Sequence, residues 1–394
     1  MEIIKRQKTF NFRGEVIAKI ISSNYFVHSD NRIIDVANEL TKLKDINCIG
    51  VVSKDETILG ILSREKIFSF IGKPYGKEVL SFKNVEFLVE KVPVFYAEEN
   101  IISVVEKVKD SLEKDHSIYF LVKSHDGKFL GIFSNIDLMI YLSSMLQKDI
   151  KLASDLQKSI VKEDFYEENE NFHLLCHSNM AKEIGGDFYY FKENGNNLFI
   201  SLCDVSGKGV SASLLTTFLA GEHFTYNFSE LKDFIINLNN DLFSTFQLQK
   251  FITAIFLNIN TKTGKTKIYD MGHSLIYLIR NDKIIHLKTK NKNFPLGISK
   301  QEMIEESNFS LQKNDLLILL TDGLTEQINP EYEEFGIQRA LKTIKSFSKE
   351  KTSTIKDVLL NELNSFRRNQ PQSDDISFII YKHHPISSSS ISSS

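Results

Sequence analysis

Hydrophobic and polar positions follow a helical period and then a strand period near the start of the chain, and this order occurs twice. Ile33, Val36, Ala37 and Leu40 share one helical face, and the short apolar runs "CIGVV" and "ILGIL" follow, separated by a polar turn. The same order recurs about 70 residues later in "NIISVVEKVKDSL", "SIYFLV" and "FLGIF". The pattern predicts two copies of a unit made of helix, strand, turn, strand and helix.

The repeated unit resembles a pair of cystathionine-β-synthase-like (CBS) domains over residues 20–143. The resemblance implies an N-terminal α/β sensor with an adenine nucleotide as effector, held in that family by a Ser/Thr-x-x-Asp signature. The second copy offers Ser134 and Asp137, whereas the first has Ser63 followed by Lys66 where the acid belongs. Ser-x-x-Asp at a strand-to-helix junction is also a capping box, which stabilises a helix start without a ligand. The sequence leaves both interpretations open.

A helical linker is predicted for residues 144–171. The stretch from 141 to 172 contains neither Gly nor Pro, and Leu142, Leu146, Leu156 and Ile160 recur near helical spacing. This apolar stripe fits a helix packed on a neighbouring element. It also fits a helix that pairs with its copy in a homodimer, for which the CBS pair is the other candidate surface.

Strand-like segments dominate the chain beyond residue 172, and the first two form a predicted hairpin in "EIGGDFYYFKENGNNLFISLCDVSGKG". Gly195-Asn196 is a favourable two-residue turn, and the register that it sets places Asp187 opposite Asp204. Two carboxylates about 4 Å apart repel by roughly 4 kcal/mol at an effective dielectric constant near 20. Either one of these acids is protonated or a cation lies between them.

Two further acids stand at the ends of apolar strands. Asp322 follows the strand of "NDLLILLTDGLTE", and Asp374 precedes the strand of "QSDDISFIIY". One such acid is typical of an ordinary turn, but several in one domain favour a shared site. A site of carboxylates without His or Cys favours Mn²⁺ or Mg²⁺ over zinc.

The motifs "EIGGDFY", "DVSGKGVSASLL", "FITAIF", "FPLGI", "DLLILLTDGLTE", "EEFG" and "DDISFIIY" together resemble the PPM family of metal-dependent serine/threonine phosphatases, in its bacterial sporulation stage II E and sigma-regulation branch. The resemblance implies a site for two Mn²⁺ or Mg²⁺ ions, flanked by Asp187, Asp204 and the carbonyl of Val205. Asp322 and Asp374 complete the ligation of one ion. It also implies an α+β chain, in which residues 172–383 form an αββα sandwich of two antiparallel sheets flanked by helices.

The activity implied is hydrolysis of phosphoserine or phosphothreonine on a regulatory partner protein, such as an anti-sigma-factor antagonist. Asp187 and Asp204 position the attacking water, and the CBS pair regulates the reaction. The alternative is a non-catalytic signalling module that only binds a partner. The segment "YDMGHSL" departs from the family pattern, and His273 is interpreted as structural rather than as a general acid. "SGKGV" lacks the spacing of a nucleotide-binding phosphate loop.

Composition and charge exclude some classes of partner. The net charge of −3 gives no general attraction to nucleic acid or to an anionic membrane. Three widely separated cysteines, no signal-peptide pattern and no long apolar run favour a cytoplasmic protein without a membrane partner. The Ser-rich segment 384–394 is predicted to be a disordered tail.

Overall fold

The computed structural model of the protein describes residues 2–7, 13–112, 117–227, 230–246, 250–288 and 293–384. The chain divides into two compact units, residues 1–148 and 149–394. The predicted disordered tail lies outside the described residues from position 385 onward. No helix within the described ranges combines the length and the apolar character needed to cross a membrane.

The N-terminal unit combines two small sheets with helices. Its strands in the described residues are β1 (Ile4–Lys5), β2 (Tyr25–His28), β3 (Cys48–Val52), β4 (Ile58–Ser63), β5 (Val94–Tyr96), β6 (Tyr119–Lys123) and β7 (Phe129–Ser134). Its helices there are α1 (Ile33–Lys42), α2 (Arg64–Ile71), α3 (Gly76–Ser81), α4 (Ile101–Leu112) and the first part of α5 (Asn135–Ile160). Strands β1 to β4 form one sheet in chain order, and β5 to β7 form the other.

The two copies of the predicted repeat have the same strand pairing. Strand β2 is parallel to β3, which is antiparallel to β4, and β5, β6 and β7 pair in the same way. Both antiparallel pairs carry a register shift at the same relative place, after Val51 and after Val122. The predicted order of helix, strand, turn, strand and helix is therefore confirmed in both copies.

The C-terminal unit carries two larger sheets. Its strands in the described residues are β8 (Asp164–Glu168), β9 (Phe172–Asn179), β10 (Phe188–Asn194), β11 (Asn197–Val205), β12 (Ile252–Asn260), β13 (Lys265–Met271), β14 (Ile276–Arg280), β15 (Lys283–His286), β16 (Ser307–Ser310), β17 (Leu316–Leu320) and β18 (Ile376–His383). The helices that begin in this unit are α6 (Val210–Thr225), α7 (Leu231–Phe246), α8 (Asp322–Thr325), α9 (Ile337–Ser346) and α10 (Thr352–Arg367).

The two sheets stack between helices. One sheet has the order β10-β11-β12-β13-β16 and the other β15-β14-β17-β18-β9-β8, with antiparallel pairing throughout both. Phe199 of β11 contacts α6 and α7, whereas its neighbour Ile200 points to the opposite face. Ile200 shares a buried cluster with Leu319 of β17, and Ile318 packs in a second cluster with α9 and α10. The predicted layers of helix, sheet, sheet and helix are present.

The predicted hairpin register is observed. Gly195 has a φ of 59°, and Asn194 pairs with Asn197 across the turn. The register continues without a shift to Phe188 opposite Cys203. Asp187 therefore comes directly before Phe188, the first paired residue of β10. Asp204 comes directly after Cys203, which is the partner of Phe188 on β11.

The predicted helical linker is wrong in its second half. Helix α5 ends at Ile160, and residues 164–168 form an edge strand on β9. In this strand, Phe165 packs on the ring of Phe191, with centroids 4.0 Å apart. The predicted stripe on α5 also differs from the structure, since Leu156 is 61% exposed and Gln157 is buried.

Candidate active site

A cavity of about 280 Å³ opens where strand ends of both sheets meet. Asp204 and Val205 reach it from the end of β11 in the five-stranded sheet. Asp322 reaches it from the start of α8, directly after β17, and Asp374 from the loop before β18. Four of the five predicted metal-site residues therefore line one cavity, although they are up to 170 positions apart in the chain.

The fifth residue, Asp187, lies beside this cavity without lining it. Its side chain is only 3% exposed, and its Oδ2 accepts a 2.8 Å hydrogen bond from the hydroxyl of Thr321. The same hydroxyl accepts a bond from the amide of Ser377 on β18. Asp187 is close enough to Asp204 for their charges to interact. The predicted neighbourhood of the two acids is observed, with Thr321 as the group that fixes one of them.

The acids form a concentration of negative charge, in which Asp187 is buried and Asp204 and Asp322 are half-buried. Burial, together with the charges of Asp322 and Asp374, raises the pKa of Asp204 to about 7. Burial also raises the pKa of Asp187, with the charge of Asp204 as the next cause. The pKa of Asp322 is raised by burial and then by the charge of Asp374. Each shift opposes ionisation, so a bound cation is the natural compensation for this cluster.

Asp375 holds the segment that carries Asp187. Its Oδ1 accepts from the amide of Ala181 at 2.7 Å, and its Oδ2 accepts from the amide of Gly186 at 2.6 Å. A side chain at Gly185 would come within about 2.5 Å of that carboxylate, so only glycine allows the approach. Asp375 is thus a positioning residue, which the sequence shows only as the second acid of "DDIS".

Gln157 supports the same segment from α5. Its Nε2 donates to the carbonyl of Gly185 at 2.7 Å, and its Oε1 accepts from the amide of Gly185 at 3.0 Å. No motif in the sequence marks Gln157. The doubled hydrogen bond explains its burial, because a buried amide side chain must find both a donor and an acceptor.

His273 is held by the protein through both ring nitrogens. Nδ1 is 2.9 Å from Oγ1 of Thr253, and Nε2 is 2.7 Å from the carbonyl oxygen of Leu320. Burial lowers its pKa, so the ring is neutral at physiological pH. These contacts agree with the structural role predicted for this histidine.

The acid side chains do not enclose a single point as they stand. Within the described ranges, no three His, Cys, Asp or Glu side chains are grouped so that they could hold a metal ion. Asp374 points instead to the ammonium group of Lys208, at 2.8 Å, and Asp187 points to Thr321. The donors are nevertheless all oxygens, which is the chemistry that Mg²⁺ and Mn²⁺ prefer.

The second predicted site lies in the N-terminal unit, where Ser134 and Asp137 line another cavity of about 280 Å³. Oδ2 of Asp137 accepts bonds from the amide and hydroxyl of Ser134, and the amide of Asp137 donates back to that hydroxyl. The predicted capping box is therefore present. The hydroxyl of Ser22 donates to the same carboxylate oxygen at 2.7 Å.

Residues 194–384 match the model of the family described as stage II sporulation protein E (SpoIIE). This range contains Asp204, Val205, Asp322 and Asp374, and it begins after Asp187.

Two curated proteins are similar in sequence to this chain. The phosphoserine phosphatase RsbU of Bacillus subtilis is 25% identical over 237 residues, which cover 58% of this chain and 70% of that protein. Protein IcfG of Synechocystis is 27% identical over 235 residues, which cover 52% of this chain but only 37% of that protein.

A solved structure shares the fold. The SiaA-PP2C domain of Pseudomonas aeruginosa superposes with a TM-score of 0.51 at 17% identity, covering 61% of this chain and 98% of that domain. Residues 194–384 are thus similar to the stage II sporulation protein E family, the chain is similar in sequence to the phosphoserine phosphatase RsbU, and the C-terminal unit shares the fold of the SiaA-PP2C domain.

Proposed function

We propose that the chain is a metal-dependent protein serine/threonine phosphatase that acts on a regulatory partner protein. The observation that carries this proposal is the convergence of Asp204, Asp322 and Asp374 on one cavity from the ends of both sheets. Similarity to a protein named as a phosphoserine phosphatase supports phosphoserine or phosphothreonine as the substrate class. An anti-sigma-factor antagonist is the partner class that the family resemblance implies.

Two Mn²⁺ or Mg²⁺ ions fit the donor set. Asp187 and Asp204, with the carbonyl of Val205, would flank both ions, and Asp322 and Asp374 would complete the ligation of one. The chemistry gained on binding is Lewis acidity for in-line attack of water on phosphorus. A cation would also offset the charge that raises the pKa of Asp204.

The other residues of the site give this acid cluster its shape. Thr321 orients the carboxylate of Asp187, and Asp375 and Gln157 fix the backbone directly before it. His273 has both ring nitrogens in hydrogen bonds to the protein and supplies no proton to a leaving group. Water is therefore the nucleophile that the site leaves available, and no side chain in it has the activated arrangement of a covalent nucleophile.

A phosphatase assay on the full chain tests this function. We expect hydrolysis of p-nitrophenyl phosphate and of phosphoserine peptides with Mn²⁺ or Mg²⁺, and none after treatment with EDTA. Restoring the ion after EDTA is the control for irreversible damage. A folded protein that hydrolyses neither substrate with any divalent ion would contradict the proposal and favour a module that only binds a partner.

We infer that the N-terminal unit is a CBS pair that regulates the phosphatase reaction, with an adenine nucleotide as effector. The cavity that contains Ser134 and Asp137 also has Tyr119 and Cys48 in its lining. Ribose hydroxyls would compete there with the hydroxyl of Ser22 for the carboxylate of Asp137. The cavity around Ser134 and Asp137 and the internal repeat support a nucleotide effector at this place.

Calorimetric titration of the full chain with ATP, ADP and AMP measures that binding, with Asp137→Ala as the matched variant. We expect one of the nucleotides to bind to the wild type at least about tenfold more tightly than to the variant, because a charge-assisted hydrogen bond is lost. Absence of heat with all three nucleotides would remove the effector from the proposal.

A further inference from the structure

Lys208 lies between the acid cluster and solvent. It belongs to the loop that joins β11 to α6, and its ammonium group donates to Oδ2 of Asp374 at 2.8 Å and to the carbonyl of Ser373 at 2.6 Å. In the described part of the chain, it is the only lysine or arginine in the lining of the cavity. Its side chain remains 39% exposed, so the ammonium group can move without opening the core.

A second ammonium group lies against the same loop. Gly207 has a φ of 87°, and a Cβ at this position would collide with Nζ of Lys250. Two hydrogen bonds between Ser206 and Phe251 keep the two segments together. Within the described residues, Lys250 has no carboxylate within ion-pair distance. A second positive charge therefore lies close to Gly207, in the loop that lines the cavity.

Both carboxylate oxygens of Asp374 already have a partner within the protein. Oδ2 is taken by Lys208, and Oδ1 accepts from the amide of Asp375 at 2.9 Å. A divalent cation bound to this carboxylate would repel the ammonium group beside Oδ2, and the half-exposed Lys208 side chain is free to move away. Once displaced, Lys208 would stand beside the cavity without its acid, on a flexible stem of four carbons. A phosphoryl dianion is the ligand that such a group attracts at this place.

We propose that Lys208 changes partner during the reaction, pairing with Asp374 in the metal-free protein and binding the phosphoryl oxygens of the substrate once a divalent ion holds Asp374. This inference rests on the proposed phosphatase function and deepens it. This change of partner couples metal binding to phosphate binding, because the bound ion releases the ammonium group of Lys208 that recognises phosphate. The first turn of α6 follows the same loop and has no side-chain cap at Gly209.

Calorimetry on the full chain tests the exchange with Mn²⁺ alone and with inorganic phosphate added to the Mn²⁺-loaded protein. In Lys208→Met we expect Mn²⁺ to bind about two- to fivefold more tightly, since a partly exposed competing ion pair is lost. Phosphate should bind at least about tenfold more weakly, because a charge-assisted hydrogen bond is lost. The KM for p-nitrophenyl phosphate should rise in the same variant.

Two matched variants make the result specific. Lys208→Arg keeps the charge and should restore most of the phosphate affinity. Lys265→Met removes an exposed lysine from β13 and should change neither affinity.

Two outcomes would count against the exchange. A folded Lys208→Met protein with wild-type affinities for both Mn²⁺ and phosphate would overturn it while leaving the phosphatase function intact. Wild-type protein that binds Mn²⁺ but hydrolyses no p-nitrophenyl phosphate would overturn the phosphatase function and the phosphate-binding step together.

Discussion

Replacing Asp204 by asparagine is expected to reduce kcat for p-nitrophenyl phosphate by about a thousandfold, which is roughly 4 kcal/mol of lost transition-state stabilisation. The substitution keeps the shape of the side chain but removes one negative charge from the centre of the acid cluster. Asp187→Asn should have an effect of similar size, because Asp187 interacts directly with Asp204. Turnover in Mn²⁺ and binding of Mn²⁺ are the two measurements.

The matched control is Asp357→Asn, which removes a carboxylate that is 66% exposed on α10. This variant should retain wild-type kcat. Thermal unfolding of all three variants shows whether each is folded. A folded Asp204→Asn protein with near-wild-type activity in Mn²⁺ would contradict the assignment of the site.

The second large expected effect is on stability. Ionisation of Asp204 at higher pH destabilises the metal-free protein, and a divalent ion offsets this loss. The pKa of Asp204 is about 7 in the folded protein and 3.8 in its ordinary state, so the folded protein binds the extra proton between these values. The contribution of Asp204 to the free energy of unfolding of the metal-free protein therefore decreases as pH rises from about 4 to about 7, and it is lost above that. Asp187 and Asp322 act in the same direction, since burial also raises their pKa values.

Melting temperatures of EDTA-treated protein at about pH 5 and about pH 8, with and without Mn²⁺, measure this effect. Comparing the wild type with Asp204→Asn isolates the contribution of one acid, because all other titrating groups are shared. We expect the metal-free variant to be more stable than the metal-free wild type at about pH 8, by on the order of 2 kcal/mol. Mn²⁺ should stabilise the wild type more at the higher pH, where protons no longer compete. Equal stabilisation at both pH values would contradict the account.

The sequence predicts the hairpin that carries Asp187 and Asp204 because its register depends on local chemistry. Gly195 supplies the positive φ of the turn, and the pairing continues from there without a register shift to Phe188 and Cys203. The remaining acids are predictable as candidates since each stands where an apolar strand ends. Their number in one domain favours a shared site, but the convergence itself depends on how two sheets stack, and the family resemblance is what makes that specific.

The groups that support the acids could not be predicted from the pattern. Asp375 reaches back to amides more than 180 residues earlier in the chain, and Gln157 reaches forward from a helix to a loop. Such contacts depend on side-chain rotamers and on long-range packing, which leave no period in the sequence. The edge strand β8 differs from the predicted helix for a related reason. A Glu-rich segment without Gly or Pro favours a helix by local propensity, whereas the contact between Phe165 and Phe191 is a long-range one.

The central claim is that divalent ions gather acids from separate strand ends into one charged site. A crystal structure of the full chain grown with Mn²⁺, with anomalous diffraction recorded at the manganese edge, measures this directly. The account predicts two anomalous peaks bordered by the carboxylates of Asp187 and Asp204, with Asp322 and Asp374 at one of them. Mn²⁺-saturated crystals with no peak in this cavity, or with Asp374 still paired to Lys208, would contradict it.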